Sequence, residues 1–172
     1  MKPLVLAFLV VVIQDGLCVC RFEQNAYILS WILDNENNIY FQLNYTKYPL
    51  RTNAWTGVAF GETMLSGLDA IIVRIIGDRI TVKDESVRGY GPTVVDQKQN
   101  IRLNRVLFSN AVLSVDFSRP LKTDDAWSDH PLDGCHPWQF FPFLSALHDD
   151  GTTGKHIRAP HSRIICISRC RS

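Results

Sequence analysis

Met1 aside, the chain of 172 residues contains a single methionine, Met64, in the polar, glycine-flanked stretch WTGVAFGETMLSGLDAIIVR (Trp55–Arg74). Five histidines, His130, His136, His148, His156 and His161, supply the imidazoles. A thioether is a soft neutral donor and an imidazole a borderline one, so a Met with a His is a ligand pair for a redox metal. Copper accepts that pair too, but its usual sets, an HxH or a His/His/Cys, are missing. The plain alternative is that Met64 packs under a domain rim as adaptable filler, with the histidines making ordinary surface hydrogen bonds.

Carboxylates and cations offer less. Asp69, Asp96, Asp124 and Asp125, with Arg119, are the groups from which acid–base chemistry would be assembled. A glycosidase needs two carboxyls facing each other across a cleft, and spacing alone does not supply them. Asp69 and Arg119 read instead as structural polar groups near strand ends. A G-x-S-x-G elbow is absent, and the cysteines look committed to disulfides. Gly57, Gly61 and Gly67 form neither GxxxxGK[ST] nor GxGxxG, so no phosphate loop is expected. No catalytic residue is assigned, and the chain is expected not to be an enzyme.

Composition narrows the setting. With 18 basic and 17 acidic side chains mixed along the chain, the net charge is +1, and no basic stripe points to nucleic acid. The segment MKPLVLAFLVVVIQDGLCVC opens with a lysine and an apolar run that is too short for a bilayer but fits a secretory signal peptide. Cleavage after Cys18 or after Cys20 satisfies the small-x-small rule. The first leaves Cys20, Cys135, Cys166 and Cys170, an even set suited to two disulfides in an oxidising compartment. Cys135 with Cys166 or Cys170, and Cys20 with the remaining one, are both open, because spacing does not fix connectivity. Asn44-Tyr-Thr46 is a glycosylation sequon. The expectation is a signal peptide over 1–18 and one domain over 19–172, secreted and extracellular, with no membrane span in the mature chain.

Short apolar stretches recur between turn residues in that domain. They are Ala26–Leu33, Ile39–Tyr45, Ala54–Phe60, Ala70–Ile76, Arg79–Lys83 after a Gly77-Asp78 hairpin signal, Ile101–Leu107, Val112–Ser118, Trp138–Leu144 and Arg163–Ser168. Val112–Ser118 alternates with period 2, and no window of a dozen residues shows capped helical periodicity. Many short strands at such spacing predict an all-β antiparallel sandwich or barrel. Trp55, Phe60, Trp138, Phe140, Phe141 and Phe143 belong to its core, with Trp55 and Phe60 beside the Met64 loop the best placed to line a pocket.

The stretch from Trp55, with its G-V-A-F, its Met and its Asp opening an apolar strand, resembles the signature of DOMON domains. Tyr27 to Trp31, Asp96 to Gln99, and Phe117-Ser-Arg-Pro120 with Asp124-Asp125 resemble further family segments in order. Gly154-Lys-His156, Pro160, Ser162 and Ile164-Ile-Cys166 are similar to the closing pattern of secreted invertebrate members. The resemblance implies an immunoglobulin-like β-sandwich related to the cytochrome domain of cellobiose dehydrogenase, in which a Met and a His hold one b-type haem. It places Met64 at the methionine position and His156 at the histidine position, with His148 and His161 as alternatives. Lacking CxxCH, the chain would hold haem non-covalently. With both axial positions filled, such a haem suits single-electron transfer with an extracellular redox partner rather than oxygen chemistry. Other family members are thought to bind sugars or proteins, so a haem-free module for a carbohydrate or protein ligand is the alternative the resemblance also carries.

Overall fold

The computed structural model describes residues 19–48 and 52–171; the expected signal segment lies outside them. Five strands, β1 (Cys20–Gln24), β2 (Tyr27–Leu33), β3 (Asn38–Thr46), β8 (Arg102–Ser109) and β9 (Val112–Pro120), form one sheet in the order β1-β2-β3-β9-β8. Six, β4 (Asn53–Phe60), β5 (Leu68–Ile76), β6 (Arg79–Val87), β7 (Val94–Val95), β10 (Cys135–Ala146) and β11 (His161–Cys166), form the other in the order β11-β10-β4-β5-β6-β7. Ladders within both sheets are antiparallel, and apart from a 3-10 turn at Ile167–Arg169 the described residues hold no helix. The result is the expected all-β sandwich. No helix among the described residues is long and apolar enough to cross a membrane.

The two sheets bury their residues differently. In β2 and β9 burial alternates, so Tyr27, Leu29, Trp31 and Leu33, with Leu113, Val115 and Phe117, face the partner sheet while their neighbours face water. Across from them stand Val58, Phe60, Ile71, Val73, Ile75, Trp138 and Phe140. Fully burying one such side chain stabilises by about 1.5–3 kcal/mol. Strands β4 and β5 are buried almost without a break. Their opposite-facing residues, Trp55, Ala59, Leu68, Ala70 and Ile72, join Val87 and Phe141 in a second apolar cluster on the outside of the six-stranded sheet. An antiparallel sheet normally leaves one face wet. Here long connections cover it.

Cys20 pairs with Cys170, and Cys135 with Cys166 across the directly opposed β10–β11 register. The first bridge spans 150 residues and fastens the edge strand β1 to the C-terminal turn. Such a long loop constrains the unfolded chain, for about 2–5 kcal/mol of stability. Disulfides of this kind persist in oxidising compartments.

Candidate functional site

The connections that cover the outer face enclose a cavity of about 540 Å3 rather than packing flat on it. Its floor is Trp55 and Ala59 of β4, Leu68, Ala70 and Ile72 of β5, Val87 of β6 and Phe141 of β10. Three connections make the roof. The β4–β5 turn contributes Met64, the β6–β7 turn contributes Tyr90 to Thr93, and the β10–β11 connection contributes His148, Thr153 to His156 and Pro160. The volume falls within the range of small-molecule and cofactor sites.

Local chemistry shapes each roof segment. Thr63 and Ser66 bond each other reciprocally, the amide of each donating to the hydroxyl of the other at 3.2 Å, which closes a tight turn around Met64 and Leu65. Gly61 enters that turn at φ +122°, and a Cβ there would lie 2.9 Å from the Gly67 carbonyl oxygen, so a side chain is excluded. The Gly89 amide donates to the Met64 carbonyl at 2.7 Å and ties the first roof segment to the second. The Trp55 indole Nε1–H donates 3.0 Å to the Gly154 carbonyl and holds the third segment over the floor. A Cβ on Gly154 would sit 2.6 Å from the Ala146 carbonyl oxygen, so only glycine fits that approach.

A buried polar clamp closes one end. Arg74 pairs with Glu85 through both guanidinium nitrogens, and its Nε–H donates to the Gly151 carbonyl at 3.1 Å. The Thr93 hydroxyl donates to Glu85, and the Thr93 amide donates to Thr153 Oγ1 at 2.9 Å. Charges removed from water need this degree of satisfaction. The pair thereby fixes two roof segments to the sheet.

Met64, His148 and His156 thus border one cavity, and all of them keep some access to solvent. His156 Nδ1 lies 2.8 Å from the Arg158 carbonyl oxygen. A carbonyl only accepts, so in the neutral ring Nδ1 carries the proton and Nε2 keeps its lone pair, the arrangement of a metal-ligating histidine with its second-shell partner. Its ring also sits 6.0 Å from that of Phe141.

Other expected residues lie elsewhere. His161 is paired with Phe140 on β11 and stands 6.1 Å from Phe22, on the face between the sheets and away from the cavity. Phe60 also faces inward, packed on Trp138 and beneath Arg119. Trp55 and Phe60 are five residues apart on one strand, and period-2 alternation puts them on opposite faces. Phe141 lies beside Trp55 on the cavity floor, in the lining position expected of Phe60. Trp138 and Phe140 are core, and Phe143 stacks under Arg158. The Asn44 side chain lies on the outer face of β3, hydrogen-bonded to Gln42. The second covered face had a signal in the unbroken apolar run Ala70–Val73, which a half-exposed antiparallel strand would not carry.

The sequence matches the DOMON domain family over residues 23–143. The chain belongs to the DOMON domain family. Among solved structures, this DOMON protein is similar to the cytochrome domain of Myriococcum thermophilum cellobiose dehydrogenase, with a TM-score of 0.64 and 11% identity, over 92% of this chain and 93% of that one. It is also similar to the cytochrome b domain of pyranose dehydrogenase from Coprinopsis cinerea, with a TM-score of 0.57 and 12% identity, over 88% and 83% of the two chains. At such identity the likeness establishes a shared fold. A search of curated proteins gave no match.

Proposed function

We propose that this DOMON domain is a secreted, single-electron carrier whose outer cavity binds one non-covalent b-type haem, with Met64 and His156 as axial ligands. One observation carries the reading: the single methionine of the domain and a histidine with its Nδ1 already engaged border the same apolar cavity. The fold it shares with two cytochrome domains supports it, and the two disulfides support an extracellular setting. The donor set fits haem, since a thioether and an imidazole are both neutral and bind low-spin iron. The walls fit as well, because Ala59 and Ala70 keep the floor shallow between Trp55, Ile72 and Phe141.

A haem held by two protein ligands supplies a one-electron couple with no open coordination site. The protein's own residues do the rest. Phe141, Ile72 and Val87 exclude water from the floor, which favours the less charged state of a bound redox centre. The Arg158 carbonyl orients His156. His148, exposed on the turn after β10, is the alternative second ligand on the same rim. The role is electron carriage to or from an extracellular redox partner, not catalysis.

Haemin titration tests the cavity itself. The expected result is a saturable Soret band at one haemin per chain, abolished by Ala70→Phe, which fills the floor. A second reading, a haem-free carbohydrate-binding module, rests on Trp127, which is 82% exposed beside a polar groove with Arg88 against its ring. It expects colourless protein and sugar binding that is lost in Trp127→Ala and indifferent to Met64→Ala.

A further inference from the structure

Behind the cavity, between the sheets, lies a group of acids that the haem reading does not use. Asp69 is the second residue of β5, Asp84 lies in β6 and Asp129 in the β9–β10 connection, and all three are essentially buried. One carboxylate oxygen of each lies within 4.8 Å of the other two. Their Oδ2 atoms are committed to protein donors. Asp69 Oδ2 accepts from Arg119 Nη1 at 2.8 Å and from the His130 amide at 2.9 Å. Asp84 Oδ2 accepts from the Asn100 amide at 3.1 Å, and Asp129 Oδ2 from Asn100 Nδ2 at 2.9 Å. Each of the three keeps its Oδ1 buried and without a hydrogen-bond partner.

A fourth acid adds an independent sign of something missing. Asp96, 7% exposed, also has a buried, unpartnered oxygen, and it lies close enough for the charges of Asp129 and Asp69 to act on it. Its segment is fastened to β6 by Gln99, whose side-chain amide spans the Asp84 backbone and the Asp96 carbonyl. Against these four carboxyls the described residues set one guanidinium, that of Arg119, at 2.8 Å from Asp69 and 3.9 Å from Asp129. Buried carboxylates in such excess are not stable as bare anions, and orphaned buried oxygens in a native fold mark a missing water, proton or ion.

We propose that Asp69, Asp84 and Asp129, with Asp96 beside them, form a binding site for a single Ca2+ ion between the sheets. Ca2+ takes six to eight oxygen ligands at about 2.3–2.6 Å. Two such ligands sit at most about 5 Å apart, and the observed separations fit inside that limit. The ligand atoms are hard carboxylate oxygens, with no sulfur or imidazole among them, which selects Ca2+ over zinc or copper. The site draws residues from the paired strands β5 and β6 and from the β9–β10 connection, so an ion there would add to the links that the His130 amide, Asn100 and Arg119 already make between them. It does not rest on the haem reading.

The test is thermal unfolding of the full secreted protein, stripped of divalent ions and returned to CaCl2. An extracellular module binds Ca2+ with a Kd of about 0.1–1 mM, so about 10 mM CaCl2 should raise the midpoint by roughly 3–10 °C. Asp84→Asn removes one ligand charge without changing the shape or touching Arg119. In the absence of Ca2+ that variant should melt at or above the wild-type temperature, and it should lose most of the response to CaCl2. Isothermal titration of the wild type with CaCl2 should give one site per chain, whether or not the variant folds. An unmoved wild-type midpoint with no titratable site overturns the proposal, as does an equal rise in wild type and Asp84→Asn.

Discussion

The two faces of the β5–β6 pair differ in what they leave unfilled. The outer face presents Leu68, Ala70, Ile72 and Val87 to an apolar cavity under three roof segments. The inner face presents Asp69 and Asp84 to a buried cluster of acids. One strand alternation, 68 and 70 outward against 69 and 71 inward, sorts apolar and charged residues to opposite sides. The outer cavity lacks a bulky apolar partner, and the inner cluster lacks positive charge. Each predicts its own occupant, so the same strands can be perturbed on one face and read on the other.

Arg119→Ala should give the largest effect. It leaves Asp69 and Asp129 without the cation that faces them, and breaking a buried pair from one side costs about 3–5 kcal/mol. Chemical denaturation measures it, and a loss below about 1 kcal/mol would mean that the inner acids are already neutral.

Ile71 and Ile72 give the cleanest contrast between the faces, since both are buried on adjacent positions. Ile71→Ala opens a hole in the packed core and should cost about 2–5 kcal/mol. Ile72→Ala only widens an existing cavity, so its cost should be smaller by roughly 1 kcal/mol or more, as the cavity term drops out. Equal losses in urea titrations would show that the outer cavity is filled by protein in solution.

Much of this architecture was legible in the sequence. Most strands lie where alternating or apolar runs placed them, because burial of one face writes period 2 into the residues. The Arg79–Lys83 run, however, continues as strand to Val87. Asp84, Glu85 and Ser86 lie beyond that run and are polar, yet they are buried, held there by Arg74, Asn100 and neighbouring backbone. Tertiary pairing overrode local polarity, and that was invisible before Arg119 and Arg74 had positions. Strands β1 and β7 were also missed, one short and half-buried beside the expected signal segment, the other only two residues long and exposed. Met64 and His156 were legible as residue types in a family pattern. Their shared cavity was not, since it depends on loops that meet only after folding.

In protein stripped of divalent ions, pH should act through the inner face. The Asp84 carboxyl is raised from 3.8 to about 7, chiefly by burial and then by the charges of Asp69 and Asp129. The folded state therefore holds this proton more tightly than the unfolded chain. Its contribution to stability is complete below about pH 4 and is lost as pH rises through about 7. Unfolding midpoints from pH 4 to pH 8 should show that decline in the wild type and a flatter profile in Asp84→Asn. A wild-type profile that climbs through this window contradicts it.

Trp55→Phe should have the smallest effect, about 1 kcal/mol, from the lost indole bond to the Gly154 carbonyl. Limited proteolysis should then cut the β10–β11 connection faster while the inner core stays protected. Unchanged cleavage would mean that the Arg74–Gly151 and Thr93–Thr153 contacts hold the roof without the indole bond.

The outer face is tested most directly by the dithionite-reduced absorption spectrum of haemin-loaded wild type, Met64→Ala, His156→Ala and His148→Ala. Haem held by Met64 and His156 gives sharp low-spin α and β bands in the wild type and in His148→Ala, and a loss of those bands in the other two. Low-spin bands that survive Met64→Ala unchanged, or a wild type that takes up no haemin, would contradict it.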